Sequence, residues 1–220
     1  QQRHWRPNIL SFSSRSEPKR QELVDFGAAL VGAGGVLTDF ELVQDRKHHR
    51  VEEHEPSLGV FHRLTPCDEP FETMEAICRY HGFSGIEPNT VLVPLAKRRG
   101  SEEAFDGFLR CVEKAEFNAL FWRGSEKPSE ERPERIDIWW RPQAGRIRFA
   151  LTLARFLQGT SHWRDTRLRF IIVHNDASRV DGMQKRLSKL MDKTRISADV
   201  KFIDSELHDR PFVELVRQES

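Results

Sequence analysis

The stretch Ile136-Asp-Ile-Trp-Trp140, Arg141-Pro-Gln-Ala-Gly145, residues 146–158, then Trp163-Arg-Asp165 and Leu168-Arg-Phe-Ile-Ile-Val-His174 decides how this chain folds. Its first run is apolar and aromatic, the composition of a strand. Proline and glycine between 141 and 145 mark a turn. From 146 to 158 the period changes: Ala150, Leu153, Ala154 and Leu157 fall at i, i+3, i+4 and i+7, one helical face. Phe149 and Phe156 widen that face, as expected of a helix lying on a sheet. Residues 168–174 are a second β run. Two β runs joined by so long a crossover pair in parallel, through a right-handed connection.

The same alternation extends outward in both directions. Upstream, 8–13 reads as a strand entered by Trp5-Arg-Pro7, and Pro18 stands where a helix can begin. Leu23, Phe26, Gly27, Leu30 and Val31 form the apolar face of that helix, and Gly32-Ala-Gly-Gly35 stops it. Residues 36–43 and 60–64 read as strands, separated by a charged, histidine-rich loop over 44–55. Residues 71–80 read as a helix with Met74, Ile77 and Cys78 on one side, and 90–95 as a buried strand. Ser101 then caps a helix with Ala104, Phe108, Cys111, Val112 and Ala115 inward, and 117–122 closes the first half as a strand. Downstream, Ser178 opens a capping-box-like S-x-x-D, followed by a face of Val180, Met183, Leu187, Leu190 and Met191. A strand over 198–203 and a short helix over 210–216 end the chain. The fold class is α/β, with mostly parallel sheets and flanking helices. Residues 1–123 form a first α/β half, 124–135 a charged connector, and 136–220 a second α/β half.

Composition narrows the function classes. With 38% hydrophobic and 31% charged residues the chain buries a core and is not disordered. A net charge of +1, with acids and bases interspersed, provides no phosphate-tracking stripe, so nucleic acid is not an expected partner. The longest apolar run, 26–37, is too short and too rich in glycine to span a bilayer. No direct membrane insertion and no secretory leader are expected. Cys67, Cys78 and Cys111 are odd in number and widely spaced, which reads as free thiols in a reducing compartment.

Three segments carry a family resemblance: Trp5-Arg-Pro-Asn-Ile-Leu10, Glu87-Pro-Asn-Thr-Val-Leu92, and Ile136-Asp-Ile-Trp-Trp140 with its downstream Trp163-Arg-Asp165. In this order, each at a strand start, they resemble the cytosolic C-terminal domain of cation–chloride cotransporters, in the amino acid–polyamine–cation superfamily. The connector over 124–133 holds none of the long phosphorylatable insertions of animal members, which places the chain nearer prokaryotic relatives. The resemblance implies two halves like universal stress proteins. It also implies a parent membrane protein that moves chloride with sodium or potassium, its own transmembrane domain as partner, and a homodimer. Relatives in the superfamily carry amino acids, so the tail of an amino acid permease is an alternative.

No catalytic signature is present: neither G-x-S-x-G, H-E-x-x-H, a Walker-type loop nor a Cys–His arrangement. Gly32–Gly35 follows a helix and precedes a strand, the wrong end of the dipole for a phosphate loop. His48, His49 and His54 lack the spacing that aligns two ligands on one helix face, so no metal is expected. Asp137 reads as a strand-edge or capping acid. Some relatives bind nucleotide at strand ends in the first half, which points to Ser11, Ser13 and Ser14 and to ATP as a ligand of a stress-protein-like sensor. Trp139 and Trp140 lie on opposite faces of one strand; one belongs to the core, and the other packs on a second layer or across a dimer axis.

Overall fold

In the first half, strand β1 (Asn8–Ser14) runs through the middle of a sheet, because five consecutive residues of Asn-Ile-Leu-Ser-Phe-Ser-Ser are buried. The computed structural model describes residues 6–14, 19–32, 34–44, 59–82, 87–95, 101–124, 132–140, 147–204 and 216. It divides the chain into two compact units, 1–129 and 130–220. The fold is α/β with all-parallel sheets, five strands in the first unit and three in the second.

The first unit orders its strands β3-β2-β1-β4-β5, with β2 Val36–Val43, β3 Val60–Pro66, β4 Thr90–Pro94 and β5 Asn118–Trp122. The helices are α1 (Arg20–Val31), α2 (Pro70–Tyr80) and α3 (Glu102–Lys114). The period of two sorts the strand residues. Leu10, Phe12, Phe40, Leu42, Val91 and Val93 share a core with Phe71, Met74 and Cys78 of α2 and Phe108, Cys111 and Val112 of α3. The alternate residues face α1, which approaches closely: a Cβ on Gly27 would stand 3.1 Å from the Leu37 methyls and 3.2 Å from Leu92. Gly32 caps α1 at φ 50°, its N–H bonded to the Ala28 carbonyl, so the glycine run is a helix stop. From β1 the chain steps outward to β2 and β3, then α2 carries it back to β4 on the other side of β1. Neighbours β1 and β4 are therefore left by connections running in opposite directions.

The amino ends of these strands are stapled by Asn89. Its side-chain amide donates to the Arg6 carbonyl at 2.7 Å, its side-chain oxygen accepts from the Asn8 N–H and the Thr90 hydroxyl, and its carbonyl accepts from Asn118. One residue thus ties the starts of β1, β4 and β5.

In the second unit β6 (Arg135–Trp140), β7 (Arg167–His174) and β8 (Asp199–Asp204) lie in chain order. Two crossovers in the same direction put α4 (Ile147–Gln158) and α5 (Val180–Thr194) on one face, against Ile138, Leu168, Phe170 and Ile172. Asp137 is paired across the ladder with Arg169 through two hydrogen bonds, 3.0 and 2.7 Å, and Arg135 adds a contact of 2.7 Å.

Three local expectations are corrected. Along α4, Leu151, Ala154 and Leu157 are buried, and Ile147 and Ala150 pack on the core; Ala150, Ala154 and Leu157 of the expected face hold, and Leu151, at 1% exposure, takes the place given to Leu153. The cap before α5 is Asp176, whose carboxylate accepts from the Ser178 N–H; Ser178 lies inside a 3-10 turn, Ala177–Arg179, that leads into the helix. On α3, Ala104 is exposed and Phe105 packs on the core in its place; Ser101 holds the capping position without a side-chain hydrogen bond. The turn at 141–145, the histidine-rich loop over 45–55 and, except for Val216, the terminal helix lie outside the described residues.

Candidate functional site

The carboxyl ends of β1 to β4 and the first turns of α2 and α3 enclose a cleft of about 890 Å³. Its position follows from the strand order: where connections leave neighbouring strands in opposite directions, the helices diverge and a crevice opens beyond the strand ends. Phe12, Leu42, Cys67, Phe71 and Met74 give it an apolar floor, and Ser13, Ser14, Gln44 and Ser101 supply polar groups. Glu69, Glu102 and Glu103 bring carboxylates, and no lysine or arginine lines it among the described residues. Burial pushes the Cys67 thiol up, and the neighbouring Asp68 carboxylate adds to the effect. It is therefore a thiol at neutral pH, not a nucleophilic thiolate.

Ser13 joins the cleft to a buried polar cluster beneath α1. Its hydroxyl donates to Asp39 at 3.3 Å and accepts from Arg20 Nε at 3.1 Å. Arg20 also meets Asp39 Oδ2 at 2.6 Å and Glu41 at 3.4 Å, and His62 Nδ1 stands 3.2 Å from Asp39. Asp39 has no exposure at all. A buried carboxylate is tolerated because it is paired and hydrogen-bonded; here the guanidinium of α1 does both, which fixes the first turn of that helix to β2.

Of the three serines expected to meet a nucleotide, Ser13 and Ser14 line the cleft and Ser11 does not. Ser11 is fully buried opposite Asp39 in the β1–β2 register, and its hydroxyl has no hydrogen-bond partner among the described residues. Trp139 packs with Ile171, Val173 and Ile203, and Trp140 with the opposite core under α4 and α5. The cluster of Arg20, Asp39, Glu41 and His62 was missed by sequence reading. Its one signal is acids at alternate positions of an apolar strand, Asp39 and Glu41, which put both carboxylates on one face.

Among the described residues no group of His, Cys, Asp and Glu is arranged to hold a metal ion, and no helix is long and apolar enough to cross a membrane. No protein-family model matches the chain. Among solved structures it is similar to the cytoplasmic domain of a prokaryotic cation chloride cotransporter, a crystal structure. The two superpose with a TM-score of 0.68 over 91% of this chain and 79% of that one, at 18% sequence identity. At that identity the likeness is one of fold: this chain has the fold of that cytoplasmic domain.

Proposed function

We propose that this chain is the cytosolic regulatory and dimerisation domain of a membrane transporter that moves chloride together with sodium or potassium. The observation that carries the reading is the fold likeness to a cotransporter's cytoplasmic domain, spanning 91% of the chain. The three sequence segments that resemble that family support it. In this reading the chain does no chemistry. It acts at the cytoplasmic face of the membrane, beside its own transmembrane domain and a second copy of itself, bracing the assembly and passing cytosolic signals to the transport unit.

The test is an immunoblot of membrane and soluble fractions with an antibody to this domain. A band several-fold larger than the chain, confined to membranes, is the expected result. Flux assays on that parent with chloride, sodium, potassium and amino acids then separate a chloride cotransporter from an amino acid permease. A soluble band of the chain's own size would sink the transporter reading.

A second reading, a nucleotide sensor of the universal-stress-protein kind, is favoured by one observation. The cleft lies where α/β sheets receive ligands, and Ser13, Ser14 and the amino ends of two helices line it. Calorimetry with ATP is the check: saturable heat that disappears in Ser14→Tyr supports nucleotide binding, and no heat at millimolar ATP rejects it.

A further inference from the structure

We propose that Cys78 of α2 and Cys111 of α3 form an oxidisable pair, in which a hydroperoxide closes a disulfide between the two helices. Both cysteines are free thiols in the core that these helices share, at 5% and 6% exposure. A helical carbonyl points along the axis toward residue i+4, so the Glu75 carbonyl lies at the level of Cys78 and Arg79. The Cys111 thiol donates to that carbonyl across 3.9 Å. The sulfur of α3 thus touches the turn of α2 that carries Cys78. One turn earlier on α3, Gly107 leaves the seam open to the Glu75 side chain; a Cβ there would stand 3.2 Å from its carboxylate. A disulfide needs Cα atoms about 4.4–6.8 Å apart, and a glycine in the seam favours that nearness. Cys67 follows β3 and lines the cleft instead.

The two thiols take different parts. Arg79 hydrogen-bonds the Cys111 sulfur, the first cause of its own raised pKa, and its side chain is largely exposed. The guanidinium attracts negative charge developing on Cys111 and marks where that sulfur meets the surface. Burial pushes the Cys78 thiol up to about 12, and the charges of Cys111 and Glu75 add to the effect. Cys78 therefore stays protonated and is not the first to be oxidised. The Cys111 sulfur attacks one oxygen of the hydroperoxide; an S–O bond forms, the O–O bond breaks, and the departing oxygen takes the thiol proton. Cys78 then attacks the Cys111 sulfur of the resulting sulfenic acid. The S–S bond forms, the S–O bond breaks, and hydroxide leaves with the Cys78 proton as water. Two thiols have lost two electrons and two protons, and the peroxide is reduced by the same two electrons. Because the first turns of α2 and α3 wall the cleft, the new bond ties its two walls together.

The experiment treats the 220-residue chain with hydrogen peroxide, alkylates the remaining thiols with N-ethylmaleimide, and maps unreduced peptides by mass spectrometry. The expected product is an intramolecular Cys78–Cys111 disulfide, with Cys67 alone alkylated. The oxidised chain should melt about 5–10 °C higher, and dithiothreitol should return it to the starting temperature. Cys78→Ala should stop at a Cys111 sulfenic acid that dimedone traps. Arg79→Gln, on the surface, should slow the oxidation roughly tenfold. Circular dichroism checks that both variants fold, and the mapping of the wild-type chain decides the pairing without them. Three alkylated thiols after peroxide, or a disulfide that includes Cys67 or joins two chains, would overturn the pair. An unchanged rate in folded Arg79→Gln would overturn the part given to Arg79.

Discussion

At the scale of single residues, the segments that carry the family resemblance secure strand starts. Asn89, from Glu87-Pro-Asn-Thr90, engages four groups around the amino ends of three strands. Replacing it by alanine removes the three side-chain bonds, to Arg6, Asn8 and Thr90, and keeps the carbonyl bond to Asn118; each such hydrogen bond contributes about 0.5–1.5 kcal/mol. Asn89→Ala should therefore lower the stability of the first unit by at least about 2 kcal/mol, read from denaturant midpoints. Asp137, from Ile136-Asp-Ile-Trp-Trp140, is a partly buried cross-strand acid on the edge strand β6. Burial opposes its ionisation, but the hydrogen bonds and charges of Arg169 and Arg135 prevail and hold its pKa below the ordinary value. A depressed folded-state pKa adds stability that is present above the unfolded value, about 3.9. That contribution fades as pH falls through the lower folded value. Asp137→Asn should flatten the loss of stability below about pH 4, measured as melting temperature against pH.

At the scale of elements, much was legible because strands here are short apolar runs between glycine, proline and charged segments. Residues 36–43 and 90–95 could be read as strands without knowing their partners. Helix phase was harder. In α4, Leu151 and Leu153 each complete a helical stripe with Ala150 and Ala154, and nothing local prefers one. The sheet chooses, by offering Leu168 and Phe170 to the side that Leu151 occupies. Leu151→Ala should then cost about 3 kcal/mol, and Leu153→Ala about 1 kcal/mol or less, by denaturant unfolding of the two variants side by side. The cap before α5 was displaced for a similar reason: Asp176 and Ser178 are both good caps, and only the 3-10 entry makes Asp176 the one used. The polar cluster beneath α1 stayed hidden because Arg20, Ser13, Asp39 and His62 meet only once three strands and a helix are in place.

At the scale of the whole chain, strand alternation was enough for the fold class, and the order of three short segments pointed to the fold that the cotransporter domain shares. The cleft was only half visible. Strand-end serines can be picked from sequence, but its floor and rim come from residues as distant as Ser14, Cys67, Pro94 and Ser101. They converge only because α2 returns the chain across β1. The same return makes the central strand dependent on a late one. A chain ending at residue 82 should therefore aggregate where one ending at 124 stays in solution, checked by sedimentation of the two translated fragments.

The order β3-β2-β1-β4-β5 also has a meaning in time. A ribosome delivers β1 first, but its second neighbour does not exist until Thr90 has been made. At about 5–20 residues per second, an apolar strand with an open side waits several seconds beside the exit tunnel. The nascent chain thus has a defined interval of vulnerability, set by topology alone, in which a chaperone that shields Ile9, Leu10 and Phe12 would find its substrate.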